Sequence, residues 1–323
     1  MERDKVKELE MAIRADYSNI AGIVVQKNGE TVYENYFNGY SADNALHVYS
    51  VTKSVFSALI AIAIDKGFIK SVDQKVLEFF PDYKVDPGEK AKQDITIRHL
   101  LTMTASYEYE IEPYEDFFLS ADWLRFALDS LGGDKQPGEF MYSPIIGAHI
   151  LSGILANATG RPIREFAAEY LFEPLGINVP HDVVLRNKEE HIAFGSTKTA
   201  MGWVVDPQGL NTASWGLALR PLDMAKIGQL YLNGGVWDGK QVIPEWWIDE
   251  STRAHSHWGM LSYGYLWWII DENERSYAAM GDGGNVIYIN TKRQMVISIA
   301  SFLVPEVNDR IGLIKELIEP LFE

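Results

Sequence analysis

Ser50 and Lys53 stand three residues apart at the head of VYSVTKSVFSALIAIAIDKG, residues 48–67. On a helix, positions i and i+3 lie on one face, one turn apart. Lys53 then faces the apolar side, near Val55, Leu59 and Ile62 in the pattern. A charge is costly there unless it serves a purpose. A serine hydroxyl is a poor nucleophile until a neighbouring base takes its proton. Lysine, with an ordinary pKa of about 10.4, becomes such a base when burial disfavours its charged form. A serine at a helix start also has free backbone N–H groups and the helix dipole beside it, which stabilise a developing oxyanion. The bland alternative for an isolated S-x-x-K is a serine N-cap with a lysine snorkelling to water. The pattern occurs once in the chain.

The elements that must position this pair follow from periodicity and turn residues. A short N-terminal helix precedes NIAGIVVQKNGETVYENYFNG, two β-rich runs around Lys27-Asn28-Gly29-Glu30 that predict a hairpin. The Ser50 helix stops at Gly67. From Ser71 to about Ala200 the pattern is helical and loop-rich, with Pro162 and Gly176 bounding one helix. Pro221 opens another, closed by Gly234-Gly235. Strands return in SYGYLWWII, SYAAMG, NVIYIN and QMVISIAS, the last two joined at Thr291-Lys292-Arg293, and PEVNDRIGLIKELIEPLF predicts a final amphipathic helix. Strands at both ends therefore enclose a helical middle. The fold class expected is α+β: one antiparallel sheet from both chain ends, flanked by the first and last helices, with a mostly helical insertion. That places one lobe at about 1–70 and 205–323 and a helical lobe at about 71–204, in a single catalytic domain.

Composition narrows the function classes. The chain has 323 residues, 47% hydrophobic and 12% aromatic, nine of them tryptophan, which describes a well-packed globular protein. A formal charge of −16 argues against nucleic acid and anionic membrane surfaces as partners, since phosphates would be repelled. No cysteine is present, so disulfide and thiol chemistry are out. MERDKVKELEMAIRADYSN lacks the apolar core of a signal peptide, and the longest apolar run, VFSALIAIAI, is too short to span a bilayer. The expectation is a cytoplasmic protein; a mature secreted chain would look the same.

Further segments bear on the S-x-x-K pair. ITIRHLLTMTAS (95–106), PGEFMYSP (137–144), the stretch Gly216–Trp247, YGYLWW and GDGGNVIYI follow in order. S-x-x-K is the first motif of penicillin-recognising serine enzymes. The other segments, in that order, resemble the class C β-lactamase-related branch of the serine β-lactamase and penicillin-binding-protein-like hydrolases, near esterases and 6-aminohexanoate-oligomer hydrolases. The likeness runs from about residue 20 to 320. It implies that Ser50 attacks a carbonyl and becomes acylated, that Lys53 takes or shares its proton, and that Tyr142 completes the relay to the leaving group. By the same resemblance Asp282-Gly283-Gly284 occupy the third motif, and the oxyanion hole is the Ser50 N–H with that of Asn285, just after Gly284.

Two positions depart from the family pattern. Pro144 stands where an asparagine is usual, and Asp282 where a lysine or histidine is usual. A carboxylate near Lys53 and Tyr142 favours charged lysine and disfavours tyrosinate, opposing the relay unless it points away. It also repels the carboxylate of a penicillin or D-alanyl peptide. The acidic loop YEYEIEPYED (107–116) reads equally well as a solvated loop or as a pocket rim adding to that field. His255 and His257 lack a third ligand at fitting spacing for a metal site, and no G-x-S-x-G elbow is present. The function expected is a serine hydrolase acting through an acyl-enzyme on a small ester or amide, neutral or cationic, with no metal or organic cofactor. The alternative is a silent binding or scaffold protein that kept the fold. Oligomeric state is left open.

Overall fold

The computed structural model describes residues 2–323, with side chains from Asp4 onward. Eight antiparallel strands form the main sheet: β1 (Ile20–Lys27), β2 (Glu30–Tyr36), β3 (Ser256–Trp258), β4 (Leu261–Tyr263), β5 (Trp268–Asp271), β6 (Ser276–Gly281), β7 (Asn285–Asn290) and β8 (Met295–Ser301). Their spatial order is β2-β1-β8-β7-β6-β5-β4-β3. The two chain ends meet in the β1–β8 pairing, with Ile23 opposite Ile299 and Val25 opposite Ile297. This is the sheet that the terminal strand patterns predict. Asn28 and Gly29 turn the first hairpin with φ of 52° and 83°, the left-handed pair a tight two-residue hairpin requires.

Both faces of the sheet are covered, so the central strands β7 and β8 are buried at every residue. Against one face lie Leu9 and Ile13 of α1 (Glu2–Asp16) and Leu313, Ile314 and Ile318 of the C-terminal turns, packed on Ile297, Ile299 and Tyr288. The opposite face carries α2 (Val51–Asp65) and, later in the chain, α4 (Pro221–Leu232). The helical segment between them includes α3 (Ile146–Thr159), which packs on α2. Among the described residues no helix is long and apolar enough to cross a membrane.

Two local expectations change. The final helix is not one regular run: Asp309 accepts a hydrogen bond from Ile311 N at 2.9 Å to start a single α-turn, Arg310–Leu313. A wider π-type run follows over Ile314–Ile318, then a tighter 3₁₀ turn over Glu319–Leu321. The run SYGYLWWII is two strands rather than one. Between them Leu266 has φ 62°, its N–H bonds Leu101 O (3.0 Å), and its carbonyl accepts Ser54 Oγ of α2 (2.6 Å). The break lets backbone that would have served the ladder tie α2 to the sheet.

α4 packs so closely on β7 and β8 that a Cβ at Gly228 would lie 2.5 Å from Val296 Cγ1 and 2.9 Å from Ile287 Cγ2. Gly228→Val should therefore lower the unfolding free energy by about 1–3 kcal/mol through overpacking, read from a denaturant titration. Wild-type stability in that variant would mean the helix is free to stand off the sheet.

Candidate active site

α2 begins at Ser50, which has helical dihedrals (φ −67°, ψ −6°) and whose side chain caps no backbone N–H. The hydroxyl is spent differently: Lys53 Nζ donates to Ser50 Oγ at 2.7 Å and to Ser214 O at 3.1 Å. That arrangement removes the N-cap alternative. Every residue from Val51 to Ala63 is buried, Lys53 among them at 3% exposure. Burial lowers the Lys53 pKa to about 8, against the opposing fields of Asp282 and then Glu112. An amine poised there can take a proton near neutral pH. Among the described residues it has no ion-pair partner, so no carboxylate in contact locks it in the charged form.

The turn into α2 is held by a residue without a sequence signal. Tyr49 sits at φ 48°, and the buried ring of His47 stacks on it with centroids 3.8 Å apart. His47 Nε2 accepts the Gly216 N–H at 3.0 Å, and burial, reinforced by His191, lowers its pKa to about 3. It is a neutral structural ring.

Tyr142 lines the same cavity as Ser50 and Asp282, a space of about 950 Å³ walled largely by aromatic and apolar side chains such as Tyr40, Phe118, Trp215 and Phe302. Burial first, then Asp282, Tyr114 and Glu112, pushes its pKa well above the ordinary phenol value. Tyr142 is therefore a protonated phenol, suited to donate rather than to serve as the resting base. Pro144, also on the cavity wall, follows Ser143 at the start of α3.

The acidic loop is solvated at Glu108, Glu110, Glu115 and Asp116, but not at Glu112. Glu112 is 7% exposed and accepts from Ser143 Oγ (2.7 Å), Ile145 N (3.1 Å) and Ile146 N (2.6 Å). It caps α3, a favourable use of a carboxylate at a helix N-terminus. Tyr114 is the loop residue that lines the cavity.

The third-motif segment differs from expectation. β6 ends at Gly281, which pairs with Asn285, so Asp282-Gly283-Gly284 is the turn of a hairpin, with φ of 77° and 83° at the two glycines. Gly281 meets the head of α2: a Cβ there would lie 2.3 Å from Val48 O and 3.1 Å from Ser50 N. Asp282 is exposed on the cavity wall. Asn285 is fully buried; its amide donates to Asp282 O (2.8 Å) and Ser301 O (3.1 Å), and its Oδ1 accepts from Ser301 N (2.9 Å). Asn285 and Gly284 line a separate small cleft beside Arg310 rather than the Ser50 cavity. The expected oxyanion partner is thus displaced, because the chain reverses at 282–284 instead of continuing as an extended edge. The strand end nearest the Ser50 amide is Gly281–Asp282.

Two residues outside the motifs lock this turn. Asn19 Nδ2 donates to Gly283 O and Phe302 O, both at 2.7 Å, and its Oδ1 accepts from Arg310 Nη2. Arg310 is 4% exposed, and burial lowers its pKa to about 10. Of the two histidines weighed as metal ligands, His255 contacts Glu250 O (2.8 Å) and stacks on Tyr265, while His257 contacts Ser262 Oγ (3.1 Å).

Comparison with known proteins places this geometry. The family model described as Beta-lactamase matches residues 13–315. A 6-aminohexanoate-dimer hydrolase of Paenarthrobacter ureafaciens is 22% identical over 314 residues, covering 90% of this chain and 74% of that protein. Among solved structures, the octameric penicillin-binding protein homologue from Pyrococcus abyssi superposes with a TM-score of 0.72 at 22% identity, over 96% of this chain and 76% of that one. A family VIII carboxylesterase gives 0.72 at 17% identity, over 98% and 96%. At these identities the structures share the fold.

The field at Lys53 has a measurable consequence. With neutral Lys53 as base, kcat/KM for a neutral ester should rise with pH and level off above about 8. Asp282 raises the Lys53 pKa, so Asp282→Asn should move this acid limb to lower pH. A limb that stays put, or moves up, would show that Lys53 does not set it.

Proposed function

We infer, for a chain that belongs to the Beta-lactamase family and is a serine hydrolase of that fold, an acyl-enzyme mechanism on a small ester or amide with Ser50 as nucleophile. The observation that carries it is the 2.7 Å contact between Ser50 Oγ and a Lys53 amine whose charge is disfavoured by burial. Lys53 takes the hydroxyl proton as Ser50 Oγ bonds to the carbonyl carbon. The resulting oxyanion lies at the head of α2, where the Ser50 N–H and the adjoining strand end at Gly281–Asp282 face it. Tyr142 gives its proton to the departing alcohol or amine and is reprotonated from Lys53, leaving an acyl-serine. Water, activated by the same pair, then releases the acid and restores Ser50.

Esters and amides are the supported class: the relative over 90% of the chain hydrolyses a 6-aminohexanoate dimer, and a carboxylesterase carries the same fold. For charge, Asp282 is the anionic group on the cavity wall. Lys198 lines it too, but its amine is engaged by Asn38 O at 2.7 Å and lies over the Tyr40 ring. Like charges about 4 Å apart cost about 4 kcal/mol at an effective dielectric near 20, less where water screens them. A neutral or cationic substrate therefore suits this site better than one with a carboxylate beside the scissile bond.

Ser50→Ala should abolish acylation with the fold intact, a loss on the order of 10³ to 10⁶ in rate. The readout is the p-nitrophenol burst from p-nitrophenyl acetate with acyl mass on Ser50; near-wild-type turnover in the variant would remove Ser50 from the mechanism. In the second test, benzylpenicillin should be a far poorer substrate than a neutral p-nitrophenyl ester or a cationic amino-acid ester. Asp282→Lys should narrow the gap. Penicillin preferred by the wild type, or no gain for anionic substrates in the variant, would refute the charge argument.

A further inference from the structure

Tyr142, the proton donor of the proposed mechanism, stands in an aromatic enclosure that the mechanism itself does not require. Its ring is parallel to Trp258 (centroids 5.8 Å, 8°) and to Phe140 (6.2 Å, 9°), and Trp268 leans on it at 5.8 Å and 49°. These three rings, packed on the phenol, set its plane. Trp258 is the unusual member. It is 54% exposed, on the outermost strand β3, beside a hairpin tip where Gly259 has φ 61° and Met260 is fully exposed. An indole left half in water forgoes much of its hydrophobic gain, which suggests that what it covers matters.

We propose that Trp258 is the positioning residue for Tyr142: the β3–β4 hairpin lays the indole across the phenol and holds it, shielded from water, at the cavity wall. The inference rests on the assignment of Tyr142 as the donor to the leaving group. Both partners hang from one short segment. Ser256 Oγ donates to Thr102 O at 2.6 Å, which anchors the hairpin. Met141 N donates to Met103 O (2.7 Å) and Gly138 N to Thr104 O (2.8 Å), which anchor the segment that carries Tyr142. Residues 102–104 thus fix the Trp258–Tyr142 distance from both sides, a role for the TMTAS stretch that its sequence does not disclose.

The titratable groups that act on or face Tyr142 are Asp282 from the hairpin turn, Tyr114 and Glu112 from the acidic loop, and Tyr263 from β4, with Lys53 beside Ser50 and Lys198 on the cavity wall as the cations. The acids and burial all favour the protonated phenol. Removing the indole admits water and weakens the burial contribution, so the phenol titrates at lower pH and the ring loses its fixed pose.

The test compares an ethyl ester, whose leaving alkoxide needs a proton, with the p-nitrophenyl ester of the same acid, whose leaving group does not. In Trp258→Ala the ethyl-to-p-nitrophenyl ratio of kcat/KM, which reads acylation alone, should fall at least about tenfold, within the range of general-acid contributions. A basic limb should also appear between pH 9 and 11, on the order of the ordinary phenol pKa. Trp258→Phe should restore the ratio. An unchanged ratio and pH profile in Trp258→Ala, or equal losses on both esters, would overturn the proposal. Tyr142→Phe distinguishes the two levels: a low ratio there with a normal one in Trp258→Ala sinks only the Trp258 assignment. A normal ratio in Tyr142→Phe sinks the donor role of Tyr142 and this proposal together.

Discussion

The contact on which the rest of the molecule depends is that between Lys53 Nζ and Ser50 Oγ inside a buried helix turn. An amine at 3% exposure with two oxygen acceptors and, among the described residues, no ion pair is a costly object. It stays in place because everything around it is fixed. α2 is packed on all sides, Ser54 ties it to the broken strand at Leu266, and Ser214 O accepts from the amine itself. Loosening any of these would let water reach Lys53 and return it to an ordinary ammonium.

The same desolvation works in opposite directions on Lys53, beneath Ser50, and Tyr142, on the cavity wall. For lysine the charged form is protonated, so burial lowers its pKa to about 8; for Tyr142 the charged form is deprotonated, so burial raises its pKa. One apolar environment thereby makes a base of one residue and keeps the other an acid. Asp282 adds its field to both in the upward direction, reinforcing the phenol and restraining the lysine. In the mechanism proposed above, the carboxylate that departs from the family pattern is therefore not simply opposed to the chemistry: it supports the proposed donor while tempering the proposed base.

The sheet provides the third component. Gly281 must lack a side chain for β6 to abut the head of α2, and the turn after it is held from behind by Asn19, Asn285 and Arg310. These three come from opposite ends of the chain, which meet because β1 pairs with β8. The closure of the sheet by the two termini is thus also what fixes the wall of the site next to Ser50. The helical segment provides another wall through Tyr142, Pro144 and Ile145, just ahead of α3, whose first donors are taken by Glu112.

The sequence by itself determined what depends on local periodicity. Three-residue spacing puts Lys53 under Ser50 on any helix, alternating apolar runs at both ends call for one antiparallel sheet, and Asn28-Gly29 calls for a tight hairpin. The tertiary structure decided what depends on residues distant along the chain. Lys53 owes its hydrogen-bond partner to Ser214, 161 positions away. Glu112 looked like one of several surface acids until Ile145 and Ile146 brought their N–H groups to it. Asn285, set beside Ser50 by the family resemblance, lines a different cleft, because two left-handed glycines reverse the chain before it. Spacing along a helix or strand is set by backbone geometry that each residue carries with it. Desolvation, and the direction a turn takes, are set by whatever the rest of the fold packs against that segment.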